Sequence, residues 1–264
     1  PAPFVLPALK DLAARAVKAV IILTAGFGEK DDAGKTVEKE MLAVAEKNGM
    51  ALIGPNCSGF LTATYKGKFA GIIPTIPGNA VDFISGSGAT VDYVMEHAAS
   101  RGLSFGTVVN LGNSIQLGVE DILEMYEQNY GPENAQILML YMESVRKPAK
   151  LLRHARRLAT KGCALIGIKS GSTAAGQRAA ASHTGAMAGT DVVVEGALRQ
   201  MGVLRVNDLT ELYDLAAVLS MIDPFPGREE DLCGTTATSR PRRETAVPHV
   251  PVPTERLELS LPRT

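Results

Sequence analysis

Between residues 81 and 223, short apolar runs alternate regularly with amphipathic stretches, and this alternation sets most of what the chain can become. Strands are expected at Val81–Ser85, Gly106–Leu111, Gln136–Glu143, Cys163–Lys169 and Val203–Val206. Between them, helices are expected over about 88–101, 119–129, 148–160 and 190–201, with a last one near 208–222. The strand candidates are continuous Val, Ile and Leu runs, the pattern of strands covered on both faces. Strands alternating with helices of this length predict an α/β fold with a parallel, doubly wound sheet.

A shorter unit of the same kind precedes it. KAVIILTAGFGE, from Lys18, reads as a buried strand ending in a turn. GKTVEKEMLAVAEKNG reads as a helix with its stripe at Val37, Met41, Leu42 and Ala45, closed by Gly49. ALIG, from Ala51, is a second short strand. The segment GIIPTIPG, from Gly71, has the two prolines and two glycines of a linker. Three regions are therefore expected: 1–76, 77–223 and a Pro-, Arg- and Thr-rich tail over 224–264, disordered or not native to the domain before it.

Composition excludes several function classes. The formal net charge of −1 over 264 residues offers no electrostatic footprint for nucleic acid or an anionic membrane. No apolar run reaches the roughly 20 residues that span a bilayer, and the first residues do not read as a signal peptide. Cys57, Cys163 and Cys233 are too few and too widely spaced for a disulfide framework or a zinc site. A cytoplasmic protein without a metal ligand set is expected.

In an open parallel sheet, ligands bind beyond the carboxyl ends of the strands. Four polar, glycine-containing segments are expected to meet there: SGSGAT (Ser85–Thr90), NLGNS (Asn110–Ser114), Glu143, and the long loop from Lys169 to Gly189. The glycines Gly86 and Gly88 permit close backbone approach to an anion, and a helix start favours negative charge. An ordinary tight turn capped by Ser87 explains the same residues. His183, in ASHTGAMAG, stands just ahead of a helix, where the N–H groups of Thr184 to Ala186 could meet an anion on its ring. Imidazole is nearly neutral at physiological pH and nucleophilic, and Glu143 could hold its tautomer. A surface loop histidine is the plain alternative. In GPNCSGF, the glycines Gly54 and Gly59 with Pro55 shape a turn, and Asn56 could donate to a carbonyl. Cys57 fits buried packing better than a nucleophile. His97, His154 and His249 are expected to be solvated, and RKPAKLLRHARR to be the wet face of a helix.

At these residues the sequence resembles the NDP-forming acyl-CoA synthetases: ADP-forming acetate–CoA ligases and the alpha subunit of succinyl-CoA synthetase. The resemblance covers about residues 1–223 and rests on AVIILTAGF, IGPNCSGF, SGSGA, LGNS with Asp121, YMES, and above all KSGSTAAG with AAASHTGAMAG. It implies a flavodoxin-like domain over 77–223, preceded by the C-terminal remnant of a Rossmann-type CoA-binding domain over 1–76. It implies that His183 is phosphorylated in turnover and oriented by Glu143. The phosphate would be held by Ser85, Gly86, Ser87, Gly88 and Ala89, with Thr184 and Gly185. Residues Gly54, Pro55, Asn56, Cys57, Gly59 and Asn113 would lie by the thioester end of CoA. The implied reaction joins an acid and CoA at the expense of ATP, giving acyl-CoA, ADP and phosphate. ATP/ADP and Mg2+ would sit on an ATP-grasp beta subunit or domain, because no such region is visible, and the assembly would be an oligomer.

Two other readings stay open at this point. One is a non-catalytic CoA- or phosphate-binding regulatory module, or a truncated inactive piece of the enzyme. The other is an unrelated flavodoxin-like binder of FMN or a phosphorylated ligand, against which the SHTGA motif and the lack of tryptophan speak.

Overall fold

The computed structural model describes residues 1–69, 71, 81–132, 134–171 and 191–222. His183, Thr184 and Gly185, most of the 71–78 linker and the tail from Pro224 lie outside the described residues.

Two parallel strands, β1 (Ala19–Ile21) and β2 (Ala51–Ile53), form a small sheet with helix α2 (Asp32–Lys47) between them in sequence. Asp31 starts α2 by accepting from the Gly34 amide at 2.7 Å, and Gly49 ends it in the left-handed conformation at φ 60°. The expected stripe is largely recovered: Met41 and Ala45 are buried, and Val37 packs on the same cluster. An additional helix, α1 (Val5–Ala14), has no counterpart in the sequence reading; Leu9 anchors it against Met41 and Leu52 in that cluster.

The second sheet has seven strands in the order β4-β3-β6-β5-β7-β8-β9. Its parallel part comprises β5 (Val81–Ser85), β6 (Phe105–Asn110), β7 (Ile137–Met142), β8 (Ala164–Lys169) and β9 (Val203–Arg205). Each lies within a residue or two of its expected place. Numbered along this part, the order 2-1-3-4-5 is that of flavodoxin-like sheets, whose direction of winding reverses between β5 and β7. Helices α3 (Gly88–Ala99) and α7 (Leu209–Ser220) bury Val91, Val94, Leu212 and Ala216 on the face carrying Phe83, Met139 and Ile166. Helices α4 (Val119–Gln128), α5 (Pro148–Thr160) and α6 (Asp191–Met201) cover the other face, over Ile84, Leu138, Leu140 and Leu165. Neighbouring strand residues thus enter opposite cores, as the period of two requires.

The hairpin β3 (Gly59–Leu61) and β4 (Lys66–Lys68) extends this sheet, with β3 antiparallel to β6 through Phe60↔Val109 and Leu61↔Val108. These strands precede residue 77 in sequence and still hydrogen-bond to the larger sheet. Lys68, buried, meets Asp92 of α3 in an ion pair that fastens the hairpin to the helix.

One expectation is corrected. His154 is buried, not solvated: it projects from α5 onto α4, with Nδ1 3.2 Å from Glu127 Oε2 and Nε2 3.5 Å from Glu124 Oε1. The basic run of α5 is wet on one side only. Its inward positions Leu151, His154, Ala155 and Leu158 follow helical spacing, and the histidine takes a core position because two α4 carboxylates meet it there.

Candidate functional site

The parallel pairings put the carboxyl ends of β5, β6, β7 and β8 at one edge of the sheet. Ser85 is in register with Asn110 and with Tyr141, and Met142 with Lys169. The polar segments anticipated after these strands, apart from those beyond Gly171, therefore do converge.

The turn after β5 is built from its own side chains. Ser85, fully buried, accepts from the Ser87 amide at 3.1 Å and donates to the Ser87 carbonyl at 2.9 Å. Ser87 caps α3 by accepting from the Thr90 amide at 3.3 Å. The Gly86 amide donates to the Tyr141 carbonyl at 3.0 Å. Two of the expected phosphate donors thus serve the fold. The N–H groups of Gly88 and Ala89, in the first helical turn, have no carbonyl one turn back to receive them, and both residues line a cavity.

Glu143 follows β7 immediately and stands against Gly86: a Cβ at position 86 would be 3.3 Å from Glu143 Cγ. Lys169 fixes the backbone here, donating from Nζ to the Glu143 carbonyl at 3.0 Å and to the Ser170 carbonyl at 2.8 Å. Burial pulls the Lys169 ammonium below its ordinary pKa, and the Glu143 charge works the other way. Lys169 opens the KSGST motif, which carried the family resemblance without a role assigned to the lysine itself.

The GPNCSGF segment lies across from this turn, held by the two asparagines of NLGNS. Asn110, fully buried, accepts from the Ser58 amide at 2.6 Å and donates to the Ser85 carbonyl at 3.1 Å, so it ties the two segments together. The Asn113 amide donates to the Pro55 carbonyl at 2.9 Å, and Asn56 Nδ2 donates to Asn113 Oδ1 at 3.3 Å. Gly112, at φ 58°, permits this: a Cβ there would stand 2.2 Å from the Pro55 carbonyl oxygen. Gly54 and Gly59 shape the segment rather than face a ligand, since side chains there would strike the Ile22 and Gly67 carbonyls. Cys57 is buried, its Sγ 3.4 Å from the Ile22 carbonyl, and burial pushes its thiol pKa up. That is packing geometry, as expected from sequence.

A cavity of about 1100 Å3 opens between these segments. Asn56, Cys57 and Asn113 line one side, and Gly86, Ser87, Gly88, Ala89 and Glu143 the other. Sequence reading missed a third wall, in which Lys35, Glu38 and Lys39 come from α2 with Glu29 before it and Arg146 after β7. Arg146 is held by the Ile115 carbonyl at 2.7 Å. Burial opposes ionisation of Glu29, but hydrogen bonds from the Gly26 amide, Asn113 and the Phe27 amide outweigh it and hold the carboxyl below its ordinary pKa. These residues carried no glycine or motif signal; only the spacing of Lys35, Glu38 and Lys39 along one helix face could have grouped them. Asp121 serves α4 instead, accepting from the Gly118 amide at 2.9 Å and from Lys147 and Lys150. Among the described residues, no group of three or more His, Cys, Asp and Glu could hold a metal ion, and no helix is long and apolar enough to cross a membrane.

Comparison with known proteins agrees with this arrangement. Residues 77–219 match the model of the succinyl-CoA ligase like flavodoxin domain. The chain is 34% identical over 226 residues to the alpha subunit of ADP-forming acetate–CoA ligase II of Pyrococcus furiosus, covering 86% of this chain and 48% of that protein. It is 35% identical over 222 residues to the alpha subunit of acetate–CoA ligase I of the same organism, covering 83% and 47%. Among solved structures, the dinucleotide forming acetyl-coenzyme A synthetase 1 of Ca. Korarchaeum cryptofilum, in complex with phosphate and ADP, superposes with a TM-score of 0.76 at 31% identity, over 83% of this chain and 47% of that one. The chain spans about half the length of these relatives. Its 2-1-3-4-5 sheet and its matched residues place it in the family of succinyl-CoA ligase like flavodoxin domains.

Proposed function

We propose that the chain is the acyl-CoA-handling part of an NDP-forming acyl-CoA synthetase, with His183 as the phosphate carrier. The observation that carries this reading is one cavity lined both by the Gly86–Ala89 helix start with Glu143 and by the Asn56–Cys57 segment. Phosphate chemistry and thioester chemistry would then face each other across one cavity. Similarity to ADP-forming ligases, and to a synthetase solved with phosphate and ADP, supports the same assignment.

In the synthetic direction, the His183 imidazole attacks the γ-phosphorus of ATP and ADP leaves. The carboxylate of the acid then attacks phosphohistidine, giving an acyl phosphate and free imidazole. The CoA thiol attacks the acyl carbonyl, losing its proton, and phosphate departs. Glu143 accepts from one ring nitrogen of His183, so that the other is free for phosphorus. The N–H groups of Gly88 and Ala89 meet the phosphoryl oxygens at the positive end of α3. Asn56 and Asn113 bind near the thioester. ATP and its Mg2+ reside on an ATP-grasp beta subunit or domain.

The test is incubation of the chain with γ-labelled ATP and an ATP-grasp partner, and separately with labelled acetyl phosphate. An acid-labile, base-stable label is expected, absent in His183→Ala and much reduced in Glu143→Gln. Absence of label under both conditions, or its persistence in His183→Ala, overturns the reading.

A further inference from the structure

One amide in the cavity is oriented by elimination. Asn113 Nδ2 donates to Glu29 Oε2 at 2.5 Å and to Glu38 Oε1 at 2.6 Å, which uses both of its hydrogens. An ionised carboxylate can only accept, so this face of Asn113 must be its NH2 group. Its Oδ1 is thereby turned to Asn56, which must answer with a donor, Nδ2, at 3.3 Å. What Asn56 keeps for a ligand is its Oδ1 and one N–H. Two carboxylates, both cavity-lining residues, thus decide which end of a more distant amide is which. Glu29 is itself anchored by the amides of Gly26 and Phe27, the latter at 3.3 Å, and those donors keep it in the ionised, acceptor-only form.

The geometry points to Glu29 and Glu38 as positioning residues that act through Asn113 to fix the Asn56 amide, so that its Oδ1 accepts from an N–H or S–H donor at the pantetheine end of CoA. The identity of the ligand rests on the function proposed above; the relay itself does not. Glutamine at both positions is the discriminating change. It keeps size and can accept a hydrogen bond, but it can also donate, which frees the Asn113–Asn56 pair to turn over as a unit.

The experiment uses the full chain with 15N-labelled side-chain amides and CoA as the probe. In the unmodified chain, the Asn113 NH2 protons are expected downfield and protected from solvent exchange. In E29Q/E38Q, the Asn113 and Asn56 amide signals move or double, CoA binds about tenfold more weakly, the loss of roughly one well-oriented hydrogen bond, and the melting temperature is held. Unmoved Asn113 and Asn56 signals in E29Q/E38Q overturn the relay. Unchanged CoA affinity in that variant, when the unmodified chain binds CoA, overturns the contact assigned between Asn56 and the pantetheine end. If the unmodified chain binds no CoA, the pantetheine assignment fails, and the amide signals still decide the relay. Should the double substitution unfold the chain, E38Q alone decides: one of the two Asn113 NH2 protons must shift, and a spectrum identical to the parent overturns the proposal.

Discussion

Gly86 and Glu143 meet across the point where the sheet reverses its winding, one just after β5 and the other just after β7, so closely that a methyl group at position 86 would press on the Glu143 side chain. A Cβ at position 86 would lie 3.3 Å from Glu143 Cγ and 3.5 Å from its Cβ. Brought this close, the carboxylate sits beside the start of α3, where the N–H groups proposed to hold the phosphate also lie.

Gly86→Ala should therefore act on Glu143 more than on the fold. The contact is tight but yields to a shift of a few tenths of an ångström, a stability loss of about 1 kcal/mol. The carboxylate moves with it, and phosphohistidine yield is expected to fall about tenfold. Gly88→Ala is the control. Its Cβ would meet Asn110 Oδ1 at 3.4 Å and Ser58 Oγ at 3.7 Å, which is ordinary contact, and alanine favours the first helical turn. Thermal melts and labelling of both variants check this; equal labelling in the two would remove the role assigned to the Gly86–Glu143 contact.

Asn110 links the turn after β5 to the GPNCSGF segment. Asn110→Ala leaves the buried Ser85 carbonyl and the Ser58 amide without this partner, each worth about 1–3 kcal/mol where water cannot enter. A loss of about 2–4 kcal/mol is expected by chemical denaturation, together with faster hydrogen exchange at Ser58. Asn110→Asp should keep the Ser58 bond and lose only the Ser85 one, so it should fall between parent and alanine variant. An alanine variant as stable as the parent would contradict the linkage.

Much of this was legible in the sequence, for physical reasons that can be named. The strands β5 to β9 are buried on both faces, so their apolar runs are uninterrupted and their ends fall where polar residues resume. Glycines marked the turn before α3 at Gly86 and Gly88, and at Gly112 a backbone approach that leaves no space for a Cβ. Helix α1 was not legible: only Leu9 is buried in it, so its apolar period is faint. The β3–β4 hairpin was lost because three-residue strands containing Gly59, Gly67 and two lysines carry no alternation worth reading. His154 was misread because four of its near neighbours are basic, while the acids that receive it lie about 30 residues earlier, on α4. The same limit hid Glu29 and Glu38, whose partner Asn113 is 84 and 75 residues away. The identity of an acid's partner is a tertiary fact, and periodicity is silent on it.

The thiols offer a third check. Burial raises the Cys57 thiol pKa, and pushes that of Cys163 up to about 12, so neither is substantially ionised at pH 8. Both should react with a disulfide reagent at least about tenfold more slowly than a free cysteine thiol in the native chain, and at ordinary rates in denaturant. Cys57→Ser should retain phosphohistidine formation, because its Sγ is engaged with the Ile22 carbonyl rather than presented as a nucleophile. Rapid native modification mapped to Cys57 would reopen the nucleophile reading.

The last prediction concerns a buried acid at the opposite end of β5. Asp82 accepts from the Thr107 amide at 2.5 Å and from the Tyr126 hydroxyl, which also lies 3.3 Å from the Ala135 carbonyl. Burial nevertheless holds the Asp82 carboxyl above its ordinary pKa, with these donors working against it, and burial beside Asp82 raises the Tyr126 phenol well beyond the working range. A carboxyl whose folded pKa exceeds its unfolded one binds more protons folded than unfolded in the interval between them. Its contribution to stability is therefore complete at low pH and diminishes as pH climbs from about 3.9 through the folded value. Tyr126→Phe removes the donor that best supports the ionised form. Its cost is expected to be about 1–3 kcal/mol on the high-pH side of the raised folded pKa, where Asp82 is charged and loses a buried partner, and smaller on the low-pH side, where the carboxyl is protonated. Asp82→Asn removes the titration, so the stability difference between parent and variant should change with pH by just the part Asp82 contributes. Denaturant melts of the parent and both variants at pH 4 and pH 8 measure this, with other titrating groups cancelling in the differences. A Tyr126→Phe penalty that is larger at pH 4 than at pH 8 would contradict the raised pKa assigned to Asp82.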